Sequence, residues 1–244
     1  LYGDTETGTL YDGPLAVLVN RLSASASEIF AGAIQDYGRG LVLGSSTFGK
    51  GTVQTLNDLS HGQIKLTRAK FYRISGESTQ HRGVEPDILF PDMIDPDRIG
   101  ESSLDNALEW DTVQAVQYRH YGEPWEYLET LRSRHRERAD SHPNFVYLKE
   151  RVELARRMRE EHTSVSLDRE QRQREVEARD AEQLALENRR REALGLEPLD
   201  ELIDARGEEE GEEDEPVDRV QVVEAAAILA DYAELTQRRL AGRS

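Results

Sequence analysis

Residues 23–54 read SASASEIFAGAIQDYGRGLVLGSSTFGKGTVQ, and the order of its residue types decides the fold. The five residues before it and its turn, LAVLV at 15–19, form a continuous apolar run. Such a run fits a strand buried on both faces. Residues 20–24 turn out of it. From Ser25 the period changes: Ala26, Ile29, Phe30, Ala33, Ile34 and Tyr37 recur at i, i+3, i+4, i+7, i+8 and i+11. This is one apolar face of a helix of about three turns. Ser25-x-x-Glu28 reads as a capping box at its start, and Gly38 is placed to stop it. LVL at 41–43 resumes a buried strand, and residues 45–51 form a loop.

Ser25 and Lys50 are the residues in this stretch that carry chemistry. A serine at a strand-to-helix elbow is exposed, and backbone N–H groups at the helix start can hold an oxyanion. A lysine acts as a base only as the neutral amine, which takes desolvation. Gly49 and Gly51 permit close backbone approach around Lys50, and Phe48 offers apolar cover. The plain alternatives are that Ser25 is only a helix cap and Lys50 a solvated loop lysine. Ser23 precedes the elbow and Ser27 lies inside the first helical turn, so neither is favoured as a nucleophile.

SASASEIFAGAIQDYGRG…STFGKGTVQ resembles the active-site segment of the C-terminal processing peptidases, most closely their tail-specific branch. The resemblance implies a serine–lysine dyad, with Ser25 as nucleophile and Lys50, twenty-five residues on, as general base. It matches Gln54 to a glutamine that orients the lysine, and Asp36 to an acidic position implicated in function. The implied fold is α/β: a serine–lysine protease core of the crotonase/Clp-like sheet-and-helix kind, then a mostly α-helical C-terminal domain. GVEPDI at 83–88 is similar to the element that closes the core in the family. Residues 100–112, and VSLDREQRQRE with the closing helix, are similar to the tail-specific branch.

The composition sets outer bounds. The chain has 244 residues, enough for one or two domains with a real core. A formal net charge of −17 argues against non-specific binding to nucleic acid or to anionic membrane. With no cysteine, disulfides, thiol catalysis and cysteine-based zinc sites are excluded within this sequence. The six histidines show no metal-ligand spacing such as HExxH. No cofactor and no metal are expected. No apolar run is long enough to span a membrane, and no signal peptide is present. The chain reads as a piece of a longer protein.

Further along, residues 55–61 read as a connecting turn. Residues 62–75 alternate as one or two strands, with a slip near Arg68–Ala69 that marks a bulge or break. After about residue 113 glycine nearly vanishes, and Arg, Glu, Ala and Leu dominate. Helices are expected at 123–138, 143–161, 168–194 and 220–240. In the first, Trp125, Leu128 and Leu131 share a side. In the last, Val222, Ala225, Ala226, Leu229, Tyr232 and Ala233 share a face that packs on more than one element. TSVSL at 163–167 reads as a short strand. Residues 207–218 (GEEEGEEDEPVD) read as a solvated acidic linker.

The expectation is therefore an α/β protease core at 1–112 and a helical domain at 113–244. Ser25 and Lys50 would act through an acyl-enzyme, with Ala26 N–H as the oxyanion donor. The resemblance implies protein substrates with apolar or unstructured C-termini and a periplasmic setting in the bacterial envelope. It also implies an adaptor lipoprotein as partner and peripheral membrane association of the parent protein. It places the family's N-terminal helical domain, its tail-reading PDZ domain and the strand with the second oxyanion donor before Leu1. Two rivals stand beside this reading. One is a catalytically incomplete fragment acting as an interaction or scaffold module. The other is a related α/β core in which Ser25 is a simple cap.

Overall fold

The computed structural model describes residues 8–161, 163–202 and 216–241. It is a mixed α/β structure. In chain order come β1 (Ala16–Val19), α1 (Ala26–Asp36), β2 (Leu41–Gly44), β3 (Thr52–Asp58), β4 (Gln63–Lys70) and β5 (Ile88–Leu89). Two short 3-10 turns follow, Glu101–Ser103 and Pro124–Tyr127. Then come α2 (Leu128–Ser141), α3 (Pro143–Glu161), α4 (Arg169–Ala193) and α5 (Pro216–Ala241).

β1, β2 and β5 make a parallel sheet in the order β1-β2-β5. α1 supplies the crossover that parallel neighbours need. β2 is central, and all four of its residues are buried. Its side chains alternate faces. Val42 joins Val19, Ala31 and Val84 under α1. Leu41 and Leu43 face the opposite way, into a larger cluster with Ile88, Phe90, Leu131, Ala139, Phe145, Leu148, Val220, Ile228 and Tyr232. The second cluster is built jointly by the sheet and by α2, α3 and α5. The helical half of the chain is therefore one wall of the core that holds the sheet.

Several expectations change in the structure. β1 is an edge strand, and Leu18 is 40% exposed, so burial on both faces belongs to β2 alone. α1 is rolled relative to its apolar periodicity. Ile29 and Phe30 are exposed, while Glu28, Ala31 and Gly32 are buried. The cause is polar: the Glu28 carboxylate is drawn inward by the hydrogen bonds described below. α5 is rolled as well. Val220, Glu224, Ile228 and Tyr232 form its buried stripe, and Val222 is exposed. It still meets α2, α3 and β1. Trp125 and the residues around it form a 3-10 turn ahead of α2.

Residues 55–58 belong to β3, so the expected connecting turn shrinks to the tip of a β3–β4 hairpin. The bulge lies where the alternation slips. Val53 pairs with Ala69 and Gln54 with Thr67, which leaves Arg68 as the extra residue. Residues 163–167 form no strand. α3 and α4 match their expected spans, and Asp168 Oδ1 caps α4 by accepting from Gln171 N–H at 2.8 Å. The acidic linker falls outside the described residues as far as residue 215, and Pro216 already begins α5. Among the described residues no helix is long and apolar enough to cross a membrane.

Candidate active site

Ser25 sits at the turn between β1 and α1 with φ 60° and ψ −111°. A non-glycine residue at such angles is strained and persists only where its surroundings over-determine it. What holds it is Glu28, which is fully buried. The Ser25 N–H donates to Glu28 Oε2 at 2.7 Å, one arm of the capping box. The Lys50 N–H donates to the same oxygen at 2.9 Å. The other oxygen, Oε1, accepts from Gly49 N–H and from Thr47 Oγ1, each at 2.6 Å. Four donors converge on one side chain, which is the coordination an ionised carboxylate can satisfy.

Glu28 thus ties the serine elbow to the lysine loop. The amides of Ser25 and Lys50 lie no farther apart than the sum of their two distances to the shared oxygen. The loop is pinned at further points. Phe48 N–H donates to Ser23 O at 2.9 Å, and Thr47 Oγ1 accepts from Val84 N–H at 2.7 Å. The two glycines are required by contact. A Cβ on Gly49, whose φ is 92°, would stand 2.7 Å from His81 O, and one on Gly51 would stand 2.7 Å from Gln80 N.

The lysine side chain itself turns along β3. Lys50 Nζ donates to Thr52 O at 3.1 Å. Gln54 lies half-buried two residues further, at the bulge. Ala26 is the first residue of α1, so its N–H has no acceptor within the helix and is open to an oxyanion. Asp36 is not gathered with these groups. It is the last residue of α1, about 16 Å along the helix from Ser25. There it binds Arg73 bidentately, Nε to Oδ2 at 2.9 Å and a second N–H to Oδ1 at 2.5 Å. Gln35 Oε1 accepts from the same guanidinium at 2.8 Å.

Two charged groups, Asp87 partly buried and Arg21 buried, support the site from behind. Asp87 accepts from Val42 N–H at 2.7 Å and from Gln35 Nε2 at 3.0 Å, locking β5 to β2 and α1. Burial pushes its carboxyl above the ordinary range, against those hydrogen bonds. Arg21, on the turn before Ser25, donates to Thr47 O, Ile99 O, Pro96 O and Ser102 Oγ. Burial lowers its pKa, opposed by the charges of Glu28, Asp92 and Asp97. Glu28 was visible in the sequence as half of a capping box. Its role as the joint between elbow and loop was not, because Thr47, Gly49 and Lys50 meet it only in space.

Comparisons with known proteins identify the family. Residues 2–90 match the family described as "Peptidase family S41". Residues 94–234 match the "C-terminal domain of tail specific protease". The chain is 38% identical over 217 residues to a "Tail-specific protease" of Haemophilus influenzae, covering 84% of this chain and 31% of that protein. It is 49% identical over 88 residues to a "Carboxy-terminal-processing protease" of Bartonella bacilliformis, covering 35% of this chain and 20% of that one. A solved photosystem II D1 C-terminal processing protease is 48% identical over 34% of this chain and 21% of its own. Its TM-score to this chain is 0.30. The chain spans a third or less of the length of these relatives.

Proposed function

The chain belongs to the tail-specific proteases of peptidase family S41, and on that premise we propose that the protein containing it is a serine endopeptidase with Ser25 as nucleophile and Lys50 as general base. The observation that carries this reading is the shared Glu28 oxygen, which brings the Ser25 and Lys50 amides together at a strained elbow. Lysine's flexible four-carbon stem lets Nζ leave Thr52 O and turn toward the serine. Unliganded sites often hold such contacts loosely.

In this mechanism the neutral Lys50 amine takes the Ser25 hydroxyl proton as Oγ attacks a peptide carbonyl. The tetrahedral oxyanion is met by Ala26 N–H at the start of α1. The lysine returns the proton to the leaving amine, giving an acyl-enzyme. Water, deprotonated by the same lysine, then hydrolyses the ester. Gln54 orients the lysine once Nζ has turned, and Asp36 acts at a distance by anchoring the end of α1 to Arg73. Substrates are proteins with apolar or unstructured C-termini, in keeping with the tail-specific and carboxy-terminal-processing names of the relatives. A periplasmic setting and an adaptor lipoprotein belong to the same proposal.

One observation favours the rival reading of an interaction module: Lys50 Nζ is bonded to a main-chain carbonyl, Thr52 O. The test is proteolysis by the full-length protein of an unstructured substrate with an apolar C-terminus, followed by intact mass. The expected result is cleavage by the unsubstituted protein and none by Ser25→Ala or Lys50→Ala, with folding unchanged. Cleavage that survives both substitutions would sink the dyad, and an inert unsubstituted protein would favour the interaction module.

A further inference from the structure

The lysine loop is held from two sides, and Glu28 is only one of them. On the other side the Gly51 N–H donates to Gln80 Oε1 at 2.9 Å. Gln80 Nε2 in turn donates to Glu101 Oε1 at 3.0 Å. Glu101 closes the circuit with its own N–H, which donates to Phe48 O at 2.9 Å. Gln80 is fully buried and Glu101 is 9% exposed. An amide side chain is the residue type that can accept from a backbone N–H and donate to a carboxylate at once. Removing either partner leaves buried polar groups unpaired, so this pair is costly unless complete.

The two members come from different parts of the chain. Gln80 precedes the closing GVEPDI segment. Glu101 lies beyond it, in the region matching the tail-specific C-terminal domain. The segment carrying Glu101 is docked by a second contact, the Arg21 guanidinium, which donates to Pro96 O, Ile99 O and Ser102 Oγ. Gly100, at φ 149°, holds a backbone conformation that disfavours a side chain, and a Cβ there would stand 2.0 Å from that guanidinium and displace it. The fit is therefore specific to this segment.

We propose that Glu101, acting through Gln80, is a positioning residue for Lys50: a brace lent by the C-terminal domain that fixes residues 48–51 opposite Glu28. The inference rests on the reading of Lys50 as the general base. In that reading it makes the C-terminal domain part of the catalytic apparatus without touching substrate. Displacing a reacting group by about an ångström costs up to about 100-fold in rate. The brace therefore acts on kcat and leaves KM alone.

The experiment measures kcat and KM of the full-length protein on an unstructured protein with an apolar C-terminal tail. Glu101→Leu is expected to lower kcat by roughly 10- to 100-fold at unchanged KM. Glu101→Gln keeps an oxygen for the Gln80 amide and is expected to restore most of the rate. Volume-conserving variants keep the test decisive if Glu101→Leu fails to fold. Gln80→Glu sets two carboxylates against each other and is expected to be impaired, whereas Gln80→Glu with Glu101→Gln exchanges the pair and recovers. Recovery by exchange supports the brace. A double variant no better than Gln80→Glu alone, or Glu101→Leu with an unchanged kcat, overturns it. Lys50→Ala separates the two levels. If it is inactive while Glu101→Leu is normal, only the brace falls; if Lys50→Ala still cleaves, the dyad falls and the brace with it.

Discussion

Glu28 and Glu224 are both buried glutamates, but they are used in different ways. Glu28 binds backbone amides and one hydroxyl and touches no cation. Glu224 on α5 binds charged and ring donors from α2: His135 Nδ1 at 3.0 Å, and Arg138 Nε and a terminal N–H at 3.1 and 2.9 Å. Asp231, about two turns further along α5, continues that network to Arg138 and Arg134. A carboxylate that gathers main-chain donors shapes a backbone. One that gathers side chains from another helix sets how two helices lie together. The first arrangement belongs to a candidate site and the second to a scaffold, although both side chains are buried.

Glu28→Ala is expected to have the largest effect. It leaves four donors without their acceptor, those of Thr47 and Gly49 buried and those of Ser25 and Lys50 partly so, and each buried one costs about 1–3 kcal/mol. The expected loss in urea unfolding is about 4 kcal/mol, together with all cleavage by the full-length protein. A variant of normal stability and activity would show that the shared oxygen is incidental.

Glu224→Ala should rank next. Breaking one side of a buried ion pair costs about 3–5 kcal/mol, and about 3 kcal/mol is expected here because Arg138 is a third exposed. The unfolding midpoint should drop while kcat of the folded protein stays the same. A change in kcat at full occupancy of the folded state would erase the distinction between site and scaffold.

Asp36 tests whether a carboxylate distant from Ser25 behaves as scaffold. It is nearly buried against Arg73. A double-mutant cycle of Asp36→Ala and Arg73→Ala should give a coupling of about 2 kcal/mol in stability. Additive losses would contradict the ion pair.

The smallest expected effect is a pH dependence. Burial alone would raise the Glu224 carboxyl, but hydrogen bonds from His135 and Arg138 outweigh it, so the net shift is downward. A depressed folded-state value stabilises the protein above the ordinary glutamate value of about 4.3. That stabilisation is lost as pH falls through the lower folded value. Glu224→Gln should therefore flatten the loss of stability on acidification below about pH 4. An unchanged acid slope would remove Glu224 from the account of acid stability.

Much of the fold was legible because local rules and tertiary packing agree there. β2 reads as a buried strand and is one. Residues 143–161 and 168–194 read as helices, and the structure has them at Pro143–Glu161 and Arg169–Ala193; the slip near Arg68–Ala69 reads as a bulge or break and is a bulge. Periodicity failed where a polar group won the interior. Apolar spacing turns Ile29 and Phe30 inward, yet Glu28 takes that place on α1. The same holds for α5, where alanines leave the apolar face poorly defined and Glu224 fixes the roll. At the site, Ser25 and Lys50 stood out by spacing and by family resemblance. Glu28's further partners, and the Gln80–Glu101 pair, are contacts across tens of residues that no local pattern contains.

If Lys50 is the general base, the reaction needs an amine at position 50. This chain has no cysteine, so within it Lys50→Cys introduces one thiol that aminoethylation converts to a lysine analogue, and the unsubstituted full-length protein carried through the same aminoethylation controls for thiols elsewhere. In the full-length protein, Lys50→Cys should not cleave an apolar-tailed substrate, and aminoethylation should restore cleavage while leaving Ser25→Ala inert. Unmodified Lys50→Cys that cleaves at the original rate, or restored cleavage in the Ser25→Ala background, would contradict a serine–lysine dyad at these positions.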